Sequence, residues 1–187
     1  QVDRIGGRAH WAPTRAVVTG AGPIGLLAAL IGVQRGMEIH VIDIVTSGLK
    51  PELVAALGAS YHTGTIEDAC PTPDVVIECT GVSSLVFDAF EHMGPNGILC
   101  LTGVSSGGHS INVDAGLLNR SLVLSNQAIA GSVNANRRHY EAAAAALARA
   151  DKGWLQKVVN RTVTLENFSE ALTRKPDDVK VVIEINQ

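Results

Sequence analysis

The sequence is poor in aromatics (4%) and charge (18%), and its Lys and Arg are nowhere gathered into a stripe. With 15 basic against 18 acidic residues the net charge is −3, so the electrostatic footprint of a nucleic-acid binder is missing. Cysteine is scarce too. Cys70, Cys79 and Cys100 are odd in number and far apart, with no C-x-x-C spacing, which excludes a disulfide framework and a compact zinc motif. Cys79 and Cys100 sit in apolar, strand-like runs and read as reduced core thiols, hence a cytoplasmic protein. The six histidines are scattered singly. A long hydrophobic run is absent as well: residues 16–33 carry no charge, but Gly20, Gly22, Pro23 and Gly25 interrupt them. The apolar helix that remains, ~10 residues, is too short to span a bilayer. No secretory signal precedes it. Neither nucleic acid nor membrane is expected as a partner. The chain begins with Gln1 rather than Met, which reads as a fragment or a processed chain.

What is abundant is Gly, Ala and Val, in short β-branched runs alternating with helical patterns. That alternation predicts parallel β/α units. Strands are expected at 16–19, 38–42, 60–62, 75–78, 97–101 and 122–125. Helices are expected at 24–35, 51–57, 84–92 and 135–150, with a helical end at 117–120. The first helix would pack by Ile24, Leu27, Ala28 and Ile31, and the last by Tyr140, Ala143, Ala144 and Leu147. Six strands in this pattern make a doubly wound α/β sheet, the Rossmann architecture, with strand order 3-2-1-4-5-6. The tail differs: 158–165 and 179–185 read as further strands around a small helix at 168–173. Such a strand needs a partner. It extends the sheet or belongs to a domain outside this chain.

Gly20-Ala21-Gly22-Pro23-Ile24-Gly25 fits G-x-G-x-x-G between a strand and a helix. Gly20 permits the turn, Gly22 lets a pyrophosphate approach the backbone, and Gly25 lets helix and strand close up. Pro23 suits the first helical turn, and the helix mouth favours phosphate. Asp43 lies 18 residues beyond Gly25, near the expected ~20 for an acid that holds a ribose. It favours NAD over NADP; Lys50 is close enough in sequence to tolerate a 2′-phosphate. In such sheets the ligand crosses the carboxyl ends of the strands. Those ends are Thr80-Gly81, Leu101-Thr102-Gly103 and the segment 131–134 with Ser132, Val133 and Asn134. Asn134 either caps the long helix or faces the cleft. Arg137 and Arg138 in that helix's first turn read as a solvated face. Ser105-Ser106-Gly107-Gly108-His109 reads as a loop, or less readily as a second phosphate cradle. Glu78 reads as structural, holding loop amides. No residue of the chain is assigned a catalytic or metal-binding role.

The strings Val17-Val18-Thr19-Gly20-Ala21-Gly22-Pro23-Ile24-Gly25 and Val76-Ile77-Glu78-Cys79-Thr80-Gly81 resemble the cofactor domain of medium-chain zinc alcohol dehydrogenases. Residues 131–140, and Asp177-Asp178-Val179-Lys180-Val181-Val182-Ile183 near the end, resemble the glucose 1-dehydrogenases of that superfamily. The resemblance implies oxidation of β-D-glucose to gluconolactone with NAD(P). It implies zinc held by an N-terminal GroES-like domain, which this chain does not include. It carries Gly22, Pro23, Ile24 and Gly25 over as pyrophosphate contacts and Asp43 as the ribose partner. Leu101, Thr102, Gly103, Ser132 and Val133 would flank the nicotinamide, and Asn134 would also reach the sugar. The basic residues with which the family often binds NADP after strand two are replaced here by Ile44-Val45-Thr46. The expected division is a cofactor domain over 1–152 and a segment, 153–187, that contacts the catalytic domain and leaves 179–185 partly unpaired. Another polyol or alcohol as substrate, or a non-catalytic NAD(H)-sensing module, fits the same residues. Pairing of strand six across a two-fold axis, giving a homo-oligomer, is also open. A short-chain dehydrogenase fits poorly, because neither tyrosine has a lysine four residues on: Tyr140 is followed by Ala144 and Tyr61 by Thr65.

Overall fold

The computed structural model describes residues 2–7, 10–108, 110–173, 175 and 177–185, residue 4 by its backbone. After a short helix, α1 (Val2–Gly6), strands and helices alternate: β1 (Arg15–Thr19), α2 (Pro23–Gln34), β2 (Glu38–Ile42), α3 (Leu49–Ala56), β3 (Ser60–His62), α4 (Ile66–Ala69), β4 (Val75–Glu78), α5 (Ser83–His92), β5 (Ile98–Leu101), α6 (Ala115–Leu124) and β6 (Ala128–Gly131). The six strands are all parallel, in the order β3-β2-β1-β4-β5-β6, as the sequence predicts. The chain then runs through α7 (Arg137–Arg149), α8 (Lys152–Val158), β7 (Arg161–Thr164), a turn of 3₁₀ helix at Leu165–Asn167, α9 (Phe168–Ala171) and β8 (Val181–Glu184).

Side chains alternate across each strand, and the sheet is covered on both faces. Val18, Ile39 and Val41 pack on one side with Leu26 and Leu30 of α2 and Leu53 and Val54 of α3. Val17, Ile42, Val76 and Leu99 pack on the other with Ile66, Ala69, Ala89 and Met93. Trp154, Val158 and Val179 join the first of these clusters, and the Trp154 indole N–H donates to the Leu53 carbonyl at 2.8 Å. The tail therefore folds back on α3. Its strands do not extend the large sheet. β8 pairs in parallel with β7, Arg161 opposite Val181, so 181–184 has a partner on one edge, where the sequence leaves it partly unpaired.

Three expectations need correction. The run 122–125 is not a strand: Asp114 caps a helix by accepting the Leu117 amide at 2.9 Å, and that helix continues to Leu124. The sixth strand is Ala128–Gly131, an alanine-rich segment held by pairing with β5 in spite of weak β propensity. The buried face of α2 is Gly25, Leu26, Ala29, Leu30 and Gly32, while Ile24 and Ile31 are exposed. This helix is apolar all round, so its periodicity is ambiguous. Its glycines set the face, because a Cβ at Gly32 would stand 2.4 Å from the Ile39 side chain. On α7, Ala146 is the buried residue, and Tyr140 and Leu147 are exposed.

Candidate dinucleotide site

Parallel register brings three strand ends level. Thr19 of β1 lies opposite both Ile42 of β2 and Glu78 of β4. The loops leaving these ends, 20–22, 43–48 and 79–82, therefore meet at the point where the strand order reverses, the place where open α/β sheets bind ligands.

The first loop is shaped by glycine. Gly20 has φ +90°, a conformation that disfavours other residues. Gly22 is the N-cap of α2, with Pro23 opening the helix. A Cβ at Gly22 would meet nothing within 4 Å, so the mouth of the turn is open. The first amides of a helix have no internal acceptor, and here they face that opening with the positive end of the helix dipole.

The second loop delivers Asp43 to this mouth. The Ala21 amide donates to Asp43 Oδ2 at 2.7 Å, and the Val45 amide donates to Oδ1 at 3.1 Å. Lys50 Nζ, from the first turn of α3, lies 3.0 Å from Oδ2. Burial pushes the Asp43 carboxyl up, but the two amides and Lys50 outweigh it and hold the pKa below its ordinary value. Tyr61 braces the loop by donating to the Val45 carbonyl at 2.6 Å. Burial, with the Asp43 charge beside it, pushes the phenol up to about 12.

The third loop is organised by Glu78, which is fully buried. Its carboxylate accepts from the Thr19 hydroxyl at 3.2 Å, the Thr80 amide at 2.7 Å and the Gly81 amide at 3.1 Å. The structural reading of Glu78 holds. Its main-chain carbonyl accepts the amides of Thr102 and Gly103, which ties the loop after β5 to the same point. A Cβ at Gly103 would stand 2.1 Å from the Gly81 nitrogen. These two glycines let the fourth- and fifth-strand loops pass against each other.

Gly20, Gly22, Asp43 and Thr80 line one cavity of about 430 Å³, with Lys50, Thr63, Gly64, Cys79, Val82 and Leu85. A neighbouring cavity of about 470 Å³ is lined by Gly22, Pro23, Lys50, Val179, Lys180 and Val181, and by Asp178, which is ion-paired with Arg161. Thus the turn, the acid and Thr80 converge, and Pro23 borders the adjoining space. Gly25 is buried beneath the turn and Ile24 is exposed beside it. Leu101, Thr102 and Gly103 lie behind Glu78 and do not line the first cavity. Ser132 hangs from β5 by its amide, which donates to the Leu101 carbonyl at 2.9 Å, while Val133 and Asn134 are exposed. The N-cap of α7 is Asn136, not Asn134: its side chain accepts the His139 amide at 3.2 Å. Arg137 is exposed and ion-paired with Glu141. His109 lies outside the described residues.

Sequence reasoning missed Thr63, Gly64, Val82 and Leu85, whose residue types carry no signal of their own. It also missed Lys180 as a lining residue, which precedes the last strand and carries no local signal. All three cysteines are free, and burial pushes the Cys79 thiol up to about 11, so it is an inert wall rather than a nucleophile. Among the described residues no cluster of three or more His, Cys, Asp or Glu is placed to hold a metal. No helix among them is long and apolar enough to cross a membrane.

The family model described as glucose dehydrogenase C-terminus matches residues 1–185. Glucose 1-dehydrogenase 2 of Vulcanisaeta moutnovskia is 39% identical over 191 aligned positions, covering 98% of this chain and 54% of its own length. Glucose 1-dehydrogenase of Methanocella arvoryzae is 36% identical over 195 positions, covering 99% of this chain and 54% of its own length. Among solved structures, glucose dehydrogenase of Haloferax mediterranei in complex with NADP, Zn and gluconolactone superposes with a TM-score of 0.90 at 27% identity, covering 100% of this chain and 55% of that one. The chain spans about half the length of the relatives it matches.

Proposed function

Because the chain belongs to the glucose dehydrogenase C-terminal family, we propose that it is the dinucleotide-binding part of a zinc-dependent, medium-chain glucose 1-dehydrogenase. The whole protein would oxidise β-D-glucose to gluconolactone. A nicotinamide held there would supply the chemistry, as the acceptor of hydride from C1 of the sugar. The observation that carries the reading is the cavity in which Gly22 leaves the helix mouth open while Asp43 is fastened beside it. The residues fit a dinucleotide. The amides opening α2 suit the pyrophosphate. Asp43 and Lys50 suit the adenosine ribose, and the wall of Val82, Leu85, Thr63 and Gly64 suits a flat base. Lys180, beside Gly22 and Pro23, is a second cation for the phosphates.

The loops with Thr80, Gly81, Leu101, Thr102, Gly103, Ser132 and Val133 are assigned to the nicotinamide end, and Asn134 to the sugar. In this reading, 1–152 is the cofactor domain. Residues 153–187 also serve contacts to the catalytic half, where zinc would be held by residues this chain does not span. The free cysteines support a cytoplasmic protein. The outer edge of β6 and the exposed Leu117, Leu124 and Tyr140 support a homo-oligomer.

Calorimetric titration of the chain with NAD(H) and NADP(H) tests the reading. Binding below millimolar concentration is expected, without glucose oxidation by the chain alone. A folded chain that binds neither dinucleotide overturns it. A panel of sugars, polyols and simple alcohols tried on the whole protein separates glucose from another substrate of the same superfamily.

A further inference from the structure

β3 is the edge of the large sheet beyond β2. Two histidines meet across this pairing. Nδ1 of His40, on β2, lies 3.0 Å from Nε2 of His62, on β3, with the ring centres 5.2 Å apart. On its other side, Nε2 of His40 lies 3.2 Å from Glu38 Oε1. The His40 side chain is only 10% exposed. An ionised carboxylate only accepts, so His40 donates to it from Nε2. In the neutral ring Nδ1 is then the acceptor, and His62 supplies the proton between the two rings. A first added proton leaves this contact intact, because His40 as imidazolium donates to Glu38 and to His62 alike. A second proton breaks it: two N–H groups then face each other, each on a charged ring.

The surroundings resist that second proton. Burial, and then the charge of His40 beside it, hold the His62 pKa below its ordinary value. By alternation both rings lie on the sheet face of Ile42, which α4 covers. The ionisable groups on that side are engaged elsewhere. On α4, Glu67 is turned to His92 at 3.7 Å and Asp68 accepts the Thr65 hydroxyl at 2.7 Å. Burial pushes the Cys70 thiol up, so it stays neutral. On β1, Val17 lies opposite His40, while Arg15 donates to Thr72. Asp74, ahead of β4, accepts the Thr14 and Arg15 amides. Asp43, beyond the end of β2, accepts from Ala21, Val45 and Lys50. The charge that the pair meets directly is therefore Glu38.

His62 leads straight into the cavity at the strand ends. Its carbonyl accepts the Asp43 amide at 3.1 Å, and the next two residues, Thr63 and Gly64, line the cavity wall. The contact between the rings thus fastens the edge strand where both the acid and the wall are held. We propose that His62, held by His40, is a positioning residue for the adenosine end of the dinucleotide site, and that a second proton on the pair frees the end of β3 and weakens dinucleotide binding. The inference rests on the dinucleotide reading above and adds its regulation by pH. The sign follows from linkage. The site that binds well is the one whose pair lacks the second proton, so affinity is full above the ordinary histidine value of about 6.5 and is lost as pH falls below it.

The test is calorimetric titration of the full chain with NAD+ from about pH 8 down to about pH 5, the range in which histidine changes charge, at one fixed ionic strength. The parent is expected to bind roughly tenfold more weakly at the acid end, the scale on which one histidine couples protonation to binding. His62→Gln keeps an N–H for His40 but does not titrate, and is expected to lose the pH dependence. His62→Leu, with no donor, should bind more weakly than His62→Gln at every pH. A flat profile for the parent overturns the inference, as does a His62→Gln variant that keeps the parent's profile. Affinity that rises as pH falls also overturns it, because the added charge would then act on the phosphates through its field. Should circular dichroism show His62→Gln unfolded, the protons released when the parent binds NAD+ at about pH 6 decide, read from buffers of different ionisation enthalpy. Net release supports the inference, and no release or net uptake overturns it. A folded parent that binds no NAD+ even at the alkaline end overturns the functional reading itself, a result distinct from a flat profile.

Discussion

Gly25 lies against the carbonyl of Gly20, and a Cβ added at Gly25 would stand 1.8 Å from that oxygen. The obstacle is backbone, so it cannot swing aside as a side chain would. Gly25→Ala is expected to force α2 away from β1 and to cost roughly 2–4 kcal/mol of stability, as overpacking of a closed site does. Gly22 makes the contrast. Its φ of −82° and ψ of −176° suit alanine, and a Cβ there meets open space. Gly22→Ala should cost about 1 kcal/mol or less, the scale of a cap change, yet weaken dinucleotide binding about tenfold or more by standing where the pyrophosphate approaches. Urea unfolding read beside calorimetric titration checks both. Equal loss of stability in the two variants would show that both glycines serve packing alone.

Different parts of the molecule were legible to different degrees. The turn from Gly20 to Gly25 and Asp43 could be read because each residue type answers a local requirement: backbone conformation, close approach, charge at a strand end. The strand order followed from alternation. The face of α2 could not be read, because a helix apolar on every side has no stripe, and its glycines marked the sheet-facing side instead. β6 was hidden because Ala128-Ile129-Ala130 is extended through pairing with β5 rather than through propensity. The Asp43–Lys50 pair depends on where α3 begins after a loop, and chain spacing alone gave proximity without geometry. Lys180 lines the cavity beside Gly22 and Pro23 only because the tail returns there, a long-range contact with no local sign.

Glu78 presents a second case in which one residue sets several loops. Its buried carboxylate holds the hydroxyl of Thr19 and the amides of Thr80 and Gly81. Glu78→Ala removes the acceptor and leaves these donors without it in a closed space. The expected loss is about 2–4 kcal/mol, because buried donors deprived of their acceptor bear the full desolvation penalty. Thermal unfolding measures that loss, and hydrogen exchange locates it, with the Thr80 and Gly81 amides exchanging faster than those of β2. Unchanged protection at these two amides would show that the loop is held by its glycines and not by Glu78.

The tail has its own acid sensitivity. Arg161 Nε donates to Asp178 Oδ1 at 2.8 Å, and the Lys175 amide donates to Oδ2 at 2.7 Å. The Arg161 guanidinium, with that amide, holds the Asp178 carboxyl down to about 2, against an ordinary 3.8. A folded-state pKa below the unfolded one means that stability is fully present above 3.8 and is lost as pH falls toward 2. The β7–β8 ribbon is therefore expected to loosen first between about pH 4 and pH 2, since Arg161 also reaches the Glu170 and Thr173 carbonyls and ties α9 to the same pair. Hydrogen exchange of the Val182 and Ile183 amides across this range measures it. Asp178→Asn should flatten the dependence in the tail without abolishing that of the whole chain, because Asp43 is held low as well and titrates in the same direction. If the tail amides of the Asp178→Asn variant kept the parent's pH profile, the ion pair would not be what fastens the ribbon.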